Sequence, residues 1–376
     1  MSARLQQHLE QAIGAARDPV AAGCLRAELA VLRARLGYAD EAEAELTLLT
    51  AEQAADPRPS RAAWLALARG LVGYYGHKNE LAFQPLARAQ ALAAAARVRP
   101  VQALAAAWLA HMHYVGNDPV LMARYAAQAL QEAAADHHSA RSRACLVIAQ
   151  GYHYAGALER AQRWYRRAHQ HAVTEGDVAT LAALLHNRAW IDATNARLER
   201  LYGADAHSAM LAPLSDSMAG AESMAHLNSH LKIGSEDALV PMLKALLLVL
   251  TEQPAAALEL FAQHLDAGIR SGMQHHASTV LAERAWCRQQ VGEHEAAAVD
   301  ADAALAALEG DTPIDNEEVA STVAWVALLR RQQGRAAEAD ALLAQGGERL
   351  RSYQQLRREV LDQLELALAQ VSNEDR

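Results

Sequence analysis

Runs of alternating β-branched residues are missing from this chain, and phenylalanine occurs only twice in 376 residues. No segment therefore reads as a strand. Proline is scarce, at 10 residues, while 52% of the chain is hydrophobic, much of that alanine and leucine; the composition is that of an ordered, helix-rich protein. Cysteine is limited to Cys24, Cys145 and Cys287, too far apart and odd in number for a disulfide framework or a CxxC metal motif, which fits a reducing cytoplasm. Basic charge is not in excess. A net charge of −9 argues against nucleic acid as a partner, and the cluster Arg160, Arg163, Arg166 and Arg167 reads as a solvated helix face.

Long apolar runs are lacking too. The most apolar segment, 238–250, is interrupted by Pro241 and Lys244 and is too short to span a bilayer, so no membrane partner is expected. The N-terminus has no signal-peptide core; Leu5, Leu9 and Ile13 form the stripe of an amphipathic helix, and the expected location is cytoplasmic. Catalytic signatures are absent: there is no phosphate-cradling glycine loop, no G-x-S-x-G elbow and no HExxH helix. Histidine is abundant at 17 residues, yet the pairs His137-His138 and His275-His276 are adjacent, and His111/His113 and His169/His171 are two apart. Ligands on one helix need a spacing of three or four. We expect no enzyme, no cofactor and no metal.

What is present is a beat. In the stretch 144–168, Ala149 is followed by Tyr152, Gly156, Ala161, Tyr165 and Ala168, the pattern of two antiparallel helices that cross where side chains are small and turn at a glycine. The small residue recurs at Ala30, Gly70, Ala110, Ala149, Ala189, Ala245, Ala285 and Ala327, about 40 residues apart except for one wider gap after Ala189. Seven residues after it stand Gly37, Gly156, Gly292 and Gly334, with His77, Asn117, Ala196 and Glu252 at the other turns. The second crossing follows five residues later at Ala42, Ala82, Ala161, Ala257, Ala297 and Ala339, with Met122 and Leu201 departing. Breakers such as 56–59, Arg99-Pro100 and 310–313 separate the pairs.

These offsets resemble the tetratricopeptide (TPR) repeat, although the period is longer than the roughly 34 residues usual there and the signature tryptophan of the first helix is not kept. Longer units resemble the sensor superhelices of bacterial ATP-dependent LuxR-type and peptide-responsive regulators; HEAT-like repeats have a compatible period. The expected fold is all-α: a right-handed α-α superhelix, or solenoid, of about eight helical hairpins with terminal capping helices. We expect an N-terminal block at 1–205, an inserted helix or hinge at 206–236, a C-terminal block at 237–347 and a capping helix at 348–376. The capping helix carries a stripe of Leu350, Tyr353, Leu356, Val360 and Leu364 that would equally serve a homodimer, as would segment 206–236.

The resemblance also implies which positions face the concave groove: one, four and five residues after the small crossing residue, and three and six before it. In the early hairpins this selects Trp64, Tyr74, Tyr75, His111, Tyr114, His153, Tyr154, His186 and Trp190 as a partner-binding surface. Aromatics make up only 5% of the chain, so their placement along one groove suits an extended protein or peptide partner. The alternative is that these rings pack between neighbouring first helices. Two functions are compatible with this reading, a non-catalytic interaction scaffold and a ligand- or peptide-sensing regulatory module. A divergent helical enzyme would need a catalytic cluster that the sequence does not offer.

Overall fold

The computed structural model describes residues 3–76, 79–203, 239–310 and 314–372. Among them there are sixteen α-helices and no strand. In order they are α1 (Ala3–Ala15), α2 (Pro19–Arg35), α3 (Ala39–Ala55), α4 (Pro59–Tyr75), α5 (Asn79–Ala96), α6 (Arg99–Val115), α7 (Pro119–Glu132), α8 (His138–Tyr154), α9 (Leu158–Glu175) and α10 (Val178–Tyr202). After segment 204–238 come α11 (Leu239–Leu250), α12 (Pro254–Gly268), α13 (Ala277–Gln290), α14 (His294–Ala307), α15 (Asn316–Gln332) and α16 (Ala336–Leu368). Consecutive helices pack as hairpins, α2 with α3, α4 with α5, α6 with α7, α8 with α9, α11 with α12 and α13 with α14. This is the TPR-like helical-repeat architecture.

The punctuation works as the residue types dictate. Prolines open α2, α4, α7 and α12, where a missing N–H costs nothing and the fixed φ suits a first turn. Asp18 caps α2 by accepting from the N–H of Val20 and Ala21, and Asp118 caps α7 by accepting from Leu121. The crossing residues are all buried, from Ala30, Ala110, Ala149 and Ala245 at 0% exposure to Ala189 at 3%. Small residues at these points let helix axes approach, so the repeat seen in sequence is the repeat of close contacts. At the turns, Gly37, Gly156, Gly292 and Gly334 hold φ between 78 and 90°. Asn117 and Glu252 hold the same left-handed region at φ 55 and 59° without being glycine.

One hairpin departs from expectation. The turn expected at Ala196 does not exist: α10 continues through it for 25 residues, and Leu201 lies on the same helix as Ala189. Nothing between Trp190 and Tyr202 breaks a helix, since that stretch holds no glycine or proline. The inserted segment 206–236, and any dimer contact through it, lies outside the described residues.

Two compact units emerge among the described residues. The first comprises the chain up to Leu184 together with residues from Arg357 onward; the second runs from Leu185 to Leu356. In the first unit, Leu9 of α1 is buried with Leu29, Leu32 and Leu36, and Leu5 and Ile13 pack beside it. Near the C-terminus, Val360, Leu364, Leu368 and Val371 are buried. Gly151 of α8 makes room for this end of α16, because a Cβ there would sit 2.8 Å from Leu364 Cδ1. The Tyr152 hydroxyl donates to Glu365 Oε1 at 2.8 Å. Much of the apolar stripe that could have served a dimer is thus spent within the chain. The second unit is built on α11, α12, α13, α14 and α15, with Phe261, Leu247 and Trp325 fully buried. No helix among the described residues is long and apolar enough to cross a membrane.

Candidate functional site

First helices of successive hairpins in the N-terminal unit converge on one cavity of about 50 Å³. Its wall takes Glu28, Val31, Leu32 and Arg35 from α2, Leu71 from α4, Leu104 and Trp108 from α6, Ser139 and Arg143 from α8, and Asp177 and Thr180 from the start of α10; α1 adds Leu5 and Leu9. A solenoid that stacks equivalent helices side by side places equivalent positions on one face, which is why residues up to 175 apart in sequence meet here.

One edge of the cavity is an ion pair. Arg35 Nη1 donates to Asp177 Oδ2 at 3.0 Å and Nη2 to Asp177 Oδ1 at 2.9 Å, and Nη2 also reaches Thr180 Oγ1 at 2.7 Å. Asp177 in turn caps α10, accepting from the Thr180 N–H at 3.0 Å and its hydroxyl at 2.7 Å. Burial pushes the Asp177 carboxyl up, but the charge of Arg35 and the hydrogen bonds from Arg35 and Thr180 outweigh it and hold the group below its ordinary range. This pair closes α2 onto α10 across four hairpins.

Beside it, Arg143 is only 6% exposed and its guanidinium lies 3.9 Å above the Trp108 ring. No hydrogen bond or ion pair reaches it among the described residues; burial, the largest influence, pulls its pKa below the ordinary value. Glu28 on the opposite wall is pushed up to about 7, by burial first and by the nearby Glu175 second.

The aromatic positions read from the sequence fall into separate groups. Tyr74, Tyr75 and His111 gather around Trp108 in edge-on contacts with centroids 5.3 to 5.7 Å apart. Tyr74 Oη and His111 Nε2 share a hydrogen bond of 2.7 Å. Burial, and then the charge of Arg143, brings the His111 pKa down to about 3, so the ring is neutral, and its Nδ1 has no hydrogen-bond partner among the described residues. Tyr114 meets the edge of Tyr154 at 6.4 Å. His153 is 3% exposed and turns inward, its Nδ1 3.2 Å from Tyr165 Oη on α9, the second helix of its own hairpin. Trp64 stays half-buried on α4. His186 and Trp190 belong to the second unit, where Trp190 lies between His186 and His276, with centroids 6.0 and 4.4 Å away. The nine positions therefore form no single open row. His111, His153 and Tyr154 are buried, whereas Trp64, Tyr74, Tyr75 and Tyr114 are half-buried.

The second unit has a polar centre of its own. Arg197, 1% exposed, donates through Nε to Glu283 Oε1 at 2.7 Å and places Nη1 3.6 Å from Glu318 Oε1, which His276 Nδ1 approaches at 3.1 Å. Burial alone would raise Glu318; His276 and Arg197 reverse that and bring it down to about 2. Arg197, Glu283 and Glu318 stand on α10, α13 and α15, so the network locks three helices. Among the described residues, no group of three or more His, Cys, Asp or Glu side chains is placed to hold a metal ion.

No family model and no curated protein matches this sequence. Among solved structures, a Rap protein complexed with competence and sporulation factor has a similar fold: the match covers 95% of this chain and 92% of that one at a TM-score of 0.52 and 12% identity. At that identity the likeness is one of fold.

Proposed function

We propose that this chain is a non-catalytic helical-repeat scaffold that binds a protein or peptide along the first-helix face of its N-terminal unit. The observation that carries the reading is the set of half-buried rings on two successive first helices, Trp64, Tyr74 and Tyr75 on α4 and Tyr114 on α6. Rigid rings held by their neighbours lose little entropy on binding and offer apolar area. The similar fold of the Rap protein, complexed with a factor of its own, supports the same assignment. Three free cysteines fit a reducing, cytoplasmic setting.

Site-specific photo-crosslinking tests this. A benzophenone amino acid placed at Tyr114 or Trp64, expressed in the native cell, should capture a discrete partner. The same probe at Leu48 on α3, a second-helix residue that is 57% exposed, should not. Equal capture from both faces would remove the groove from consideration. A regulatory, ligand-sensing role is favoured by a separate observation, the cavity of about 50 Å³ beneath the first-helix face.

A further inference from the structure

We infer that the cavity of the N-terminal unit is a binding site for an oxyanion, the carboxylate of a small organic acid, with Arg143 as its counter-ion. The inference goes beyond the partner reading and stands whether or not a protein docks on the ring edges outside.

The first ground is a charge without a hydrogen-bonded partner. Arg143 is nine-tenths buried, lines the cavity, and has no hydrogen bond or ion pair among the described residues. A buried guanidinium is costly unless it is paired, and a ring face such as Trp108 replaces only part of what water supplied. Arg35, by contrast, has a carboxylate partner: its two terminal nitrogens hold Asp177, and one of them also holds Thr180. Two guanidiniums thus share the wall with one ionised carboxylate. Glu28, the other acid there, is pushed up to about 7 and carries only part of its charge at neutral pH. The cavity has a positive excess, and an anion is what it lacks.

Size and shape choose the anion. A water molecule needs about 10–15 Å³ of such space, so about 50 Å³ accommodates a few waters, or one carboxylate on a short stem. The remaining wall agrees: Leu5, Leu9, Leu32, Leu71 and Leu104 are apolar and suit a short hydrocarbon stem. A planar, two-oxygen group matches the fork of a guanidinium, whose flat face is already fixed on Trp108.

The test uses the full chain and sodium acetate as probe, by isothermal titration and thermal unfolding, with acetamide and sodium chloride at equal ionic strength as controls. Acetate should give saturable binding and raise Tm by a few degrees at about a hundredfold excess over Kd; acetamide and chloride should not. Arg143→Met, which keeps the stem and the ring contact, should abolish the response while leaving the circular dichroism spectrum unchanged. Arg143→Lys keeps the charge but loses the fork, and should bind roughly tenfold more weakly. A short peptide tested as free acid and as amide distinguishes the source: preference for the acid over both acetate and the amide would support the carboxylate site and assign it to a chain terminus. Overturning results are an acetate response no larger than that of chloride, a response undiminished in Arg143→Met, or binding of inorganic phosphate in the absence of any acetate binding.

Discussion

Two buried arginines, Arg143 in the first unit and Arg197 in the second, are treated in opposite ways. Arg197 of the second unit meets Glu283 at 2.7 Å and Glu318 at 3.6 Å, with His276 behind. Arg143 of the first meets a tryptophan face and a cavity. The first arrangement is structural, a charge cluster that sets a buried arginine between two carboxylates and joins three helices. The second leaves a charge available, and availability is a property of sites. Replacing each by methionine separates them. Arg197→Met strands two buried carboxylates and should lose about 3–5 kcal/mol, read by urea unfolding and by faster hydrogen exchange in α13 and α15. Arg143→Met strands nothing, keeps a sulfur–aromatic contact with Trp108, and should change stability by less than about 1 kcal/mol in ligand-free buffer. Equal losses would erase the distinction.

The same contrast shows what a sequence can disclose. The crossing residues and turns were legible because their demand is steric and local: Ala149 and Ala285 are buried at 0 and 1% exposure, and the turn position keeps its left-handed backbone even at Asn117 and Glu252. The cavity was legible by position. Arg143 stands six residues before Ala149, Leu104 six before Ala110, Arg35 five after Ala30, Val31 one after Ala30 and Leu71 one after Gly70, and all five line it. An eye for aromatics alone passes over Arg143, because its role depends on the absence of a partner, and absence is not written in any window of sequence. The join of Arg35 to Asp177, 142 residues apart, was hidden for a similar reason: it depends on how far successive hairpins rotate. The unbroken α10 was hidden by the beat itself, which suggested a turn where residues 190–202 supply no breaker.

A smaller loss should follow from Asp177→Asn. Asparagine caps a helix as well as aspartate does, so α10 keeps its first turn, and the substitution isolates the charge opposite Arg35. We expect a cost of about 3 kcal/mol at pH 7, from an arginine left without its counter-ion in a buried site. The folded carboxyl lies below its ordinary range. The stability it supplies is therefore complete above the unfolded pKa of about 3.9, and is lost as pH falls through the lower folded value. Wild type and variant should converge in acid. A gap that does not narrow at all as pH falls below the unfolded pKa would mean that shape, and not charge, makes the contact.

A gain of about 1 kcal/mol, opposite in sign to the losses at Arg197 and Asp177, should come from Glu28→Gln. Glu28 shares the cavity wall with Arg35, Arg143 and Asp177, and Glu175 of α9 lies near enough to raise it; burial is the larger cause, and together they bring it to about 7. A carboxyl whose folded pKa lies above its unfolded value holds its proton more tightly when folded. It costs nothing in acid and destabilises progressively as pH rises from about 4.5 to 7. Glutamine removes that cost. The variant should match wild type at pH 4 and exceed it by about 1 kcal/mol at pH 8, less than complete burial would give because the side chain keeps an exposed edge. With acetate in the cavity, the anion would add to the charge that Glu28 avoids, so wild type should take up protons on binding near pH 7 and Glu28→Gln should take up fewer. Titration calorimetry in two buffers of different ionisation enthalpy measures that difference directly. A variant that is less stable than wild type at pH 8 would show that Glu28 is ionised and satisfied in the folded unit, and that the cavity's positive excess is smaller than its wall implies.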